Sequence, residues 1–188
     1  MTRTALRKQA LKQRMELSEE DCLQRSEKLL EGFKRFNFQG INVVHIFLPI
    51  KSKKEPDTLL MIDWLMRAHP EIKILVPRAD FGTHTMSSHL YPGPENLVWN
   101  AYGIPEPVNE AVELKADLIV VPLLAFDDRG HRLGYGKGFY DRFLHGQSAQ
   151  KVGLSFFDAV PEIMDVHEND IRLDYCITPD RVVKFTLQ

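Results

Sequence analysis

Three short runs, INVVHIFLPI (41–50), IKILVP (72–77) and DLIVVP (117–122), are apolar almost without interruption. A strand with one wet face alternates apolar and polar residues, so unbroken runs mark strands covered on both faces. Between the first two, Pro56 suits the first turn of a helix and DTLLMIDWLMRAH supplies the helical pattern. Strand–helix–strand units with buried strands predict an α/β fold, an open and mainly parallel sheet with helices on both faces. Residues 1–188 are expected to form a single domain, because two would be unusually small at this length.

The remaining elements follow from local signals. Residues 3 to about 15 are good helix formers. Ser18 reads as the N-cap of a second helix, with Glu19, Glu20 and Asp21 in its first turn and Leu23, Leu30 and Phe33 in its buried stripe. HTMSSHLYPGPENLVWNAYGIPEP (84–107) is loop-rich and is expected to carry a hairpin. FYDRFLH begins a short helix, and KVGLSFF, YCIT and VVKF read as further strands.

Composition excludes several classes. A formal net charge of -2 offers no global attraction to nucleic acid or an anionic membrane, so any anion site must be local. No apolar run approaches the ~20 residues of a membrane span, and the basic N-terminus lacks the apolar core of a signal peptide. Cys22 and Cys176 form no ligand pattern and read as two buried, reduced thiols. The expectation is a cytoplasmic monomer acting on small molecules, with neither nucleic acid nor membrane as partner.

The chemistry concentrates in DLIVVPLLAFDDRGHRLGYGKGFYDRFL (117–144), where Gly134, Gly136 and Gly138 alternate around Tyr135 and Lys137. G-x-G-x-G is not the dinucleotide fingerprint, and LLAFDDRGHR intervenes between it and the strand. The P-loop spacing fails as well, with Gly138 where its hydroxyl residue should be. Glycines nevertheless let a backbone close on an anion and turn N–H groups toward it. Lys137 adds a point charge, Arg132 a fork suited to phosphate, and the helix opening at Phe139 and Tyr140 a favourable dipole. Asp141, one turn in, is placed to hold a divalent cation bridging phosphates.

VPLLAFDDRGHRLGYGKGFYDRFL resembles the signature V-P-G-x-x-F-D-x-x-G-x-R-L-G-x-G-x-G-Y-Y-D of the 5-formyltetrahydrofolate cyclo-ligase (5,10-methenyltetrahydrofolate synthetase) family. LRKQALKQR, EPDT, VPRADFGTHTM, YGIPEP and HENDIRLDYCITPDR are similar to its other landmarks, so the resemblance runs the length of the chain. Leu123 and Phe139 depart from it, replacing a common Gly and the first Tyr of the Tyr-Tyr pair.

The resemblance implies ATP-dependent cyclisation of 5-formyltetrahydrofolate to 5,10-methenyltetrahydrofolate. It assigns ATP contacts to Arg3 and Arg7 (with Lys8 as an alternative register), Arg132, Gly134, Tyr135, Gly136, Lys137, Gly138, Phe139 and Tyr140. Arg132, Lys137 and Tyr140 are the candidate catalytic residues, and Asp141 and Asp170 the candidate Mg2+ ligands. Glu55 is expected to accept from the donor edge of the pterin, with Leu48, Met86, Tyr102 and Phe139 as apolar walls. Two other readings use the same glycines: a non-catalytic polyphosphate-binding module and a sugar-phosphate isomerase. The first needs no folate edge. The second needs one small phosphate site instead of cations at both ends of a larger one.

Overall fold

A computed structural model describes residues 1–186. The chain opens with two helices, α1 (Arg3–Met15) and α2 (Glu19–Phe33). Ser18 caps α2 in a reciprocal capping box with Asp21. The buried face of α2 is Ser26, Leu29, Gly32 and Phe33. Leu23, expected in that stripe, is 50% exposed, because it lies roughly a quarter to a third of a turn from Phe33 and Leu29. Cys22, expected buried, is only partly so, whereas Cys176 is fully buried.

Strands β1 (Val43–Ile46), β2 (Lys73–Asp80), β6 (Leu118–Pro122) and β9 (Gln150–Leu154) pair in parallel in the order β9-β6-β1-β2. β10 (Tyr175–Ile177) extends that set beside β9. Both edges close with antiparallel strands, β3 (Thr85–Leu90) on β2 and β11 (Val182–Lys184) on β10. β3 hides in the sequence because TMSSHL, with its Thr, two Ser and His, stays mostly half-exposed along the sheet edge. The expected hairpin is β4 (Leu97–Trp99) against β5 (Pro105–Pro107), and a small ribbon joins β7 (Ala125–Phe126) to β8 (Arg132–Leu133).

The helix α3 (Leu59–Ala68) starts at Thr58, so Pro56 lies just ahead of the helix and not in its first turn. Leu29 and Phe33 of α2 and Met61, Ile62 and Leu65 of α3 pack on Val44, Ile46, Val120 and Val152 of one sheet face. Ile119, Val121 and Cys176 face the other way, toward Leu144 of α4 (Phe139–Leu144). Helices therefore cover both faces. A third apolar group joins Leu6 and Ala10 of α1 to Leu124, Ala125 and Leu133, which fastens α1 beside the β7–β8 ribbon.

Connections leave β1 and β6 toward opposite sides of the sheet, since β1 leads to β2 and β6 to β9. The carboxyl ends of these two central strands thus form a topological switch point, where loops diverge and leave a crevice. The loop after β1 carries Glu55; the loop after β6 carries the glycines.

Candidate active site

Gly136 and Gly138 hold φ of +88° and +71°, a left-handed backbone that side-chain-bearing residues rarely adopt. At Gly136 a Cβ would also stand 3.3 Å from the Arg7 guanidinium. Around Gly134, by contrast, a Cβ would meet nothing within 4 Å, so the loop is open there. Arg7 Nε donates to the Gly134 carbonyl at 3.1 Å, which pins α1 to the glycine loop; Lys8 points outward. Lys137 is exposed. α4 is only six residues long, so the helix dipole expected from the sequence contributes little.

Arg132 is buried, donating one amino group to the Ile171 carbonyl and the other to Asp141 Oδ1 at 2.8 Å. The Ile171 N–H also donates to that oxygen, at 3.3 Å. Arg3 pairs with Asp170 through both carboxylate oxygens, and the His167 N–H donates to Asp170 at 2.9 Å. Burial pushes the Asp170 carboxyl up, but Arg3 and the His167 N–H outweigh it and hold it below the usual range. Arg3, Arg132, Asp141 and Asp170 therefore converge, with Ile171 and Asp170 as sequence neighbours. No group of three or more His, Cys, Asp or Glu suited to a metal occurs among the described residues. Asp141 fits a magnesium ion better than Asp170, because its Oδ2 is free of the bonds that occupy both oxygens of Asp170.

Glu55 is 7% exposed. Its oxygens accept from the Ile50 N–H at 2.8 Å and the Tyr135 hydroxyl at 2.7 Å. Burial raises its carboxyl above the ordinary 4.5, opposed by those two donors and by the charge of Arg14. Arg14, on α1 and 4% exposed, donates to the same Tyr135 oxygen and to the Leu123 carbonyl. The Tyr140 hydroxyl is buried without a partner among the described residues; burial and then the charge of Glu55 push it well above the usual phenol range.

A cleft of about 480 Å³ lies between β2, β3 and β5. Met86, Phe81, Arg78 and Glu106 line it. Phe81 stacks on Tyr102 at 4.3 Å and meets Phe139 edge-on at 5.2 Å. Met86, Tyr102 and Phe139 are thus brought together, whereas Leu48 is buried in the core and its side chain does not wall the cleft. Glu55 lies outside the cleft lining, beneath Tyr135.

Sequence reasoning missed Arg14, Phe81 and Arg142. Arg14 was findable: Arg3, Arg7 and Arg14 at i, i+4 and i+11 fall within a narrow arc of one helix face. Arg142 had no such signal. It bridges the His84 and Lys137 carbonyls at 2.8 and 2.7 Å and lies over the Phe139 ring.

Fold and site together define an α/β protein with a glycine loop at the switch point of its sheet and an aromatic-walled cleft at the β2–β3 edge. The family model of the 5-formyltetrahydrofolate cyclo-ligases matches residues 1–179, and the chain belongs to that family of ligases. It is 34% identical over 148 residues to the 5-formyltetrahydrofolate cyclo-ligase of Escherichia coli K12, covering 75% of this chain and 80% of the relative. The solution structure of Aquifex aeolicus 5,10-methenyltetrahydrofolate synthetase superposes with a TM-score of 0.80 at 32% identity, covering 100% of this chain and 95% of the other. A 5,10-methenyltetrahydrofolate synthetase from Mycoplasma pneumoniae, 23% identical, shares the fold with a TM-score of 0.70 over 94% of this chain and 98% of its own.

Proposed function

We propose that this chain, acting as a single-domain cytoplasmic monomer, uses ATP to convert 5-formyltetrahydrofolate to 5,10-methenyltetrahydrofolate, releasing ADP and phosphate. A formamide oxygen is a poor leaving group, so N10 cannot simply condense onto the formyl carbon. Transfer of the γ-phosphoryl group to that oxygen breaks the bond to ADP and makes an imidate phosphate. N10 then forms the new C–N bond, loses its proton, and the C–O bond breaks to expel phosphate.

Such a reaction needs an anion site touching a ring site. The observation that carries the reading is that the two meet at Phe139, which follows Gly138 at the opening of α4 and whose ring packs on Phe81 of the cleft wall. Lys137 and the Gly134–Gly138 backbone hold the polyphosphate, with Arg7 behind them. Lys137 stabilises charge on the transferring group. Glu55 accepts from the pterin, and Tyr140 supplies a hydroxyl between Glu55 and Arg132. Asp141 would hold a magnesium ion, which when bound neutralises phosphate charge. Arg3 and Asp170, paired in the protein alone, become available to nucleotide and metal only on separating.

The test is to mix the protein with Mg-ATP and 5-formyltetrahydrofolate and follow methenyl absorbance. Folded protein that forms no product while still binding nucleotide would support the binding module instead.

A further inference from the structure

Tyr135 belongs to the glycine loop by its backbone, but its hydroxyl is engaged elsewhere. It donates to Glu55 Oε1 at 2.7 Å and accepts from an amino group of Arg14. Arg14 reaches this point from α1, its guanidinium carbon 5.6 Å from the Tyr135 ring centroid. Its other amino group donates at 3.2 Å to Leu123, which follows β6 directly. One buried chain of hydrogen bonds therefore joins the first helix, the anion loop and the loop after β1.

The direction of that chain is fixed by donor chemistry. A guanidinium has donors only, so the Tyr135 oxygen must accept from Arg14. Its single proton is then committed to Glu55. The other Glu55 oxygen receives the Ile50 N–H, also a donor only, at 2.8 Å. Both oxygens face donors, and the lone pairs that remain are acceptors. This is the state a carboxylate needs to receive N–H groups from a heterocycle edge, and one that its burial alone would oppose.

We propose that Arg14 and Tyr135 are positioning residues whose relay keeps Glu55 ionised and aimed at the donor edge of the folate ring. The inference rests on the reading that Glu55 contacts the pterin. It assigns Tyr135 to the folate side of the reaction, although its neighbours Gly134 and Gly136 serve the phosphates. The groups facing Glu55 are Tyr135 from the glycine loop, Arg14 from α1 and the partnerless Tyr140 hydroxyl from α4.

Tyr135→Phe removes one hydroxyl without changing shape, and Arg14→Met removes the charge but keeps the stem. Both should raise the KM for 5-formyltetrahydrofolate about tenfold, in line with a buried hydrogen bond to a charged group, and leave the KM for ATP within about twofold. The acid limb of kcat/KM for the folate should move to higher pH in both. Arg14→Lys should recover part of the loss, because an ammonium can still donate to Tyr135. Equal rises in the two KM values, or an unchanged folate KM in Tyr135→Phe, would overturn the relay. Equilibrium binding of 5-formyltetrahydrofolate without ATP separates the two claims. Wild-type protein that binds the folate but makes no methenyl product overturns the proposed reaction, and the relay then stands or falls on whether Tyr135→Phe weakens that binding. Wild-type protein that binds no folate overturns both.

Discussion

Lys137 stands between two glycines of positive φ and is exposed, so it packs against little and its value lies in its charge. Lys137→Ala should lower kcat about 100-fold or more, the scale of losing one charge-stabilising donor at a transition state, with an unchanged thermal melt. Activity retained within a few-fold would remove Lys137 from the phosphate site. Glu55 makes a different prediction. Its folded pKa is raised, so between the ordinary 4.5 and that raised value the native state binds more protons than the unfolded chain. Stability must therefore fall as pH rises through that window. Glu55→Gln should lack this fall while weakening folate binding, with ATP binding nearly unchanged; pH-dependent denaturant titrations read the first and direct binding the second. Glu55 was legible in EPDT only through resemblance. Its burial under Tyr135 was not, because the partner lies 80 residues away in sequence.

The short helix α4 and the turn between β2 and β3 depend on each other. Phe139 opens the helix and packs on Phe81 and His84 of the turn, and Arg142, one turn later, donates to the His84 carbonyl. Phe139 departs from the family's Tyr, yet its ring contacts need no hydroxyl. Phe139→Tyr should be close to neutral in kcat, whereas Phe139→Ala should cost roughly 1–3 kcal/mol, seen mainly as a raised KM. A large gain from Tyr, or indifference to Ala, would show that ring packing is not what the position supplies. Arg142→Ala should speed amide exchange at residues 81–85 without altering exchange in β6. The central strands and the helices α1 to α4 were legible because their signals, apolar runs, helix-forming residues and caps, are local. β3 was not, since an edge strand with one half-covered face carries the composition of a loop. Met86, Tyr102 and Phe139 were named as walls from the sequence, but Phe81 was not, because it gains meaning only when the chain turns from β2 into β3 and sets its ring against Phe139.

At the scale of the molecule, the sheet buries a titratable group at its centre. His45 of β1 is fully buried, stacks on Phe143 at 4.6 Å, and neither ring nitrogen has a partner among the described residues. Burial pushes its pKa down to about 3 from 6.5. The unfolded chain takes up a proton there before the native state does, so stability rises with pH across that interval and is lost on acidification. Below the ordinary histidine value, the free energy of unfolding should fall by about 1.4 kcal/mol per pH unit from this group, and His45→Leu should flatten the slope. An equal slope in the two proteins would place the acid sensitivity elsewhere. The docking of α1 has a consequence in time. Helix formation needs only neighbours, but Arg14 finds Leu123 across 109 residues, Tyr135 across 121, and Arg3 finds Asp170 across 167. On a ribosome that releases the chain from its amino end, the first helix made must wait for about two thirds of the protein before Leu123 and Tyr135 exist, and for nearly all of it before Asp170 does. Its Leu6 and Ala10 stripe stays uncovered until Leu124, Ala125 and Leu133 have been made, and Arg3 has no Asp170 to pair with until synthesis is nearly over.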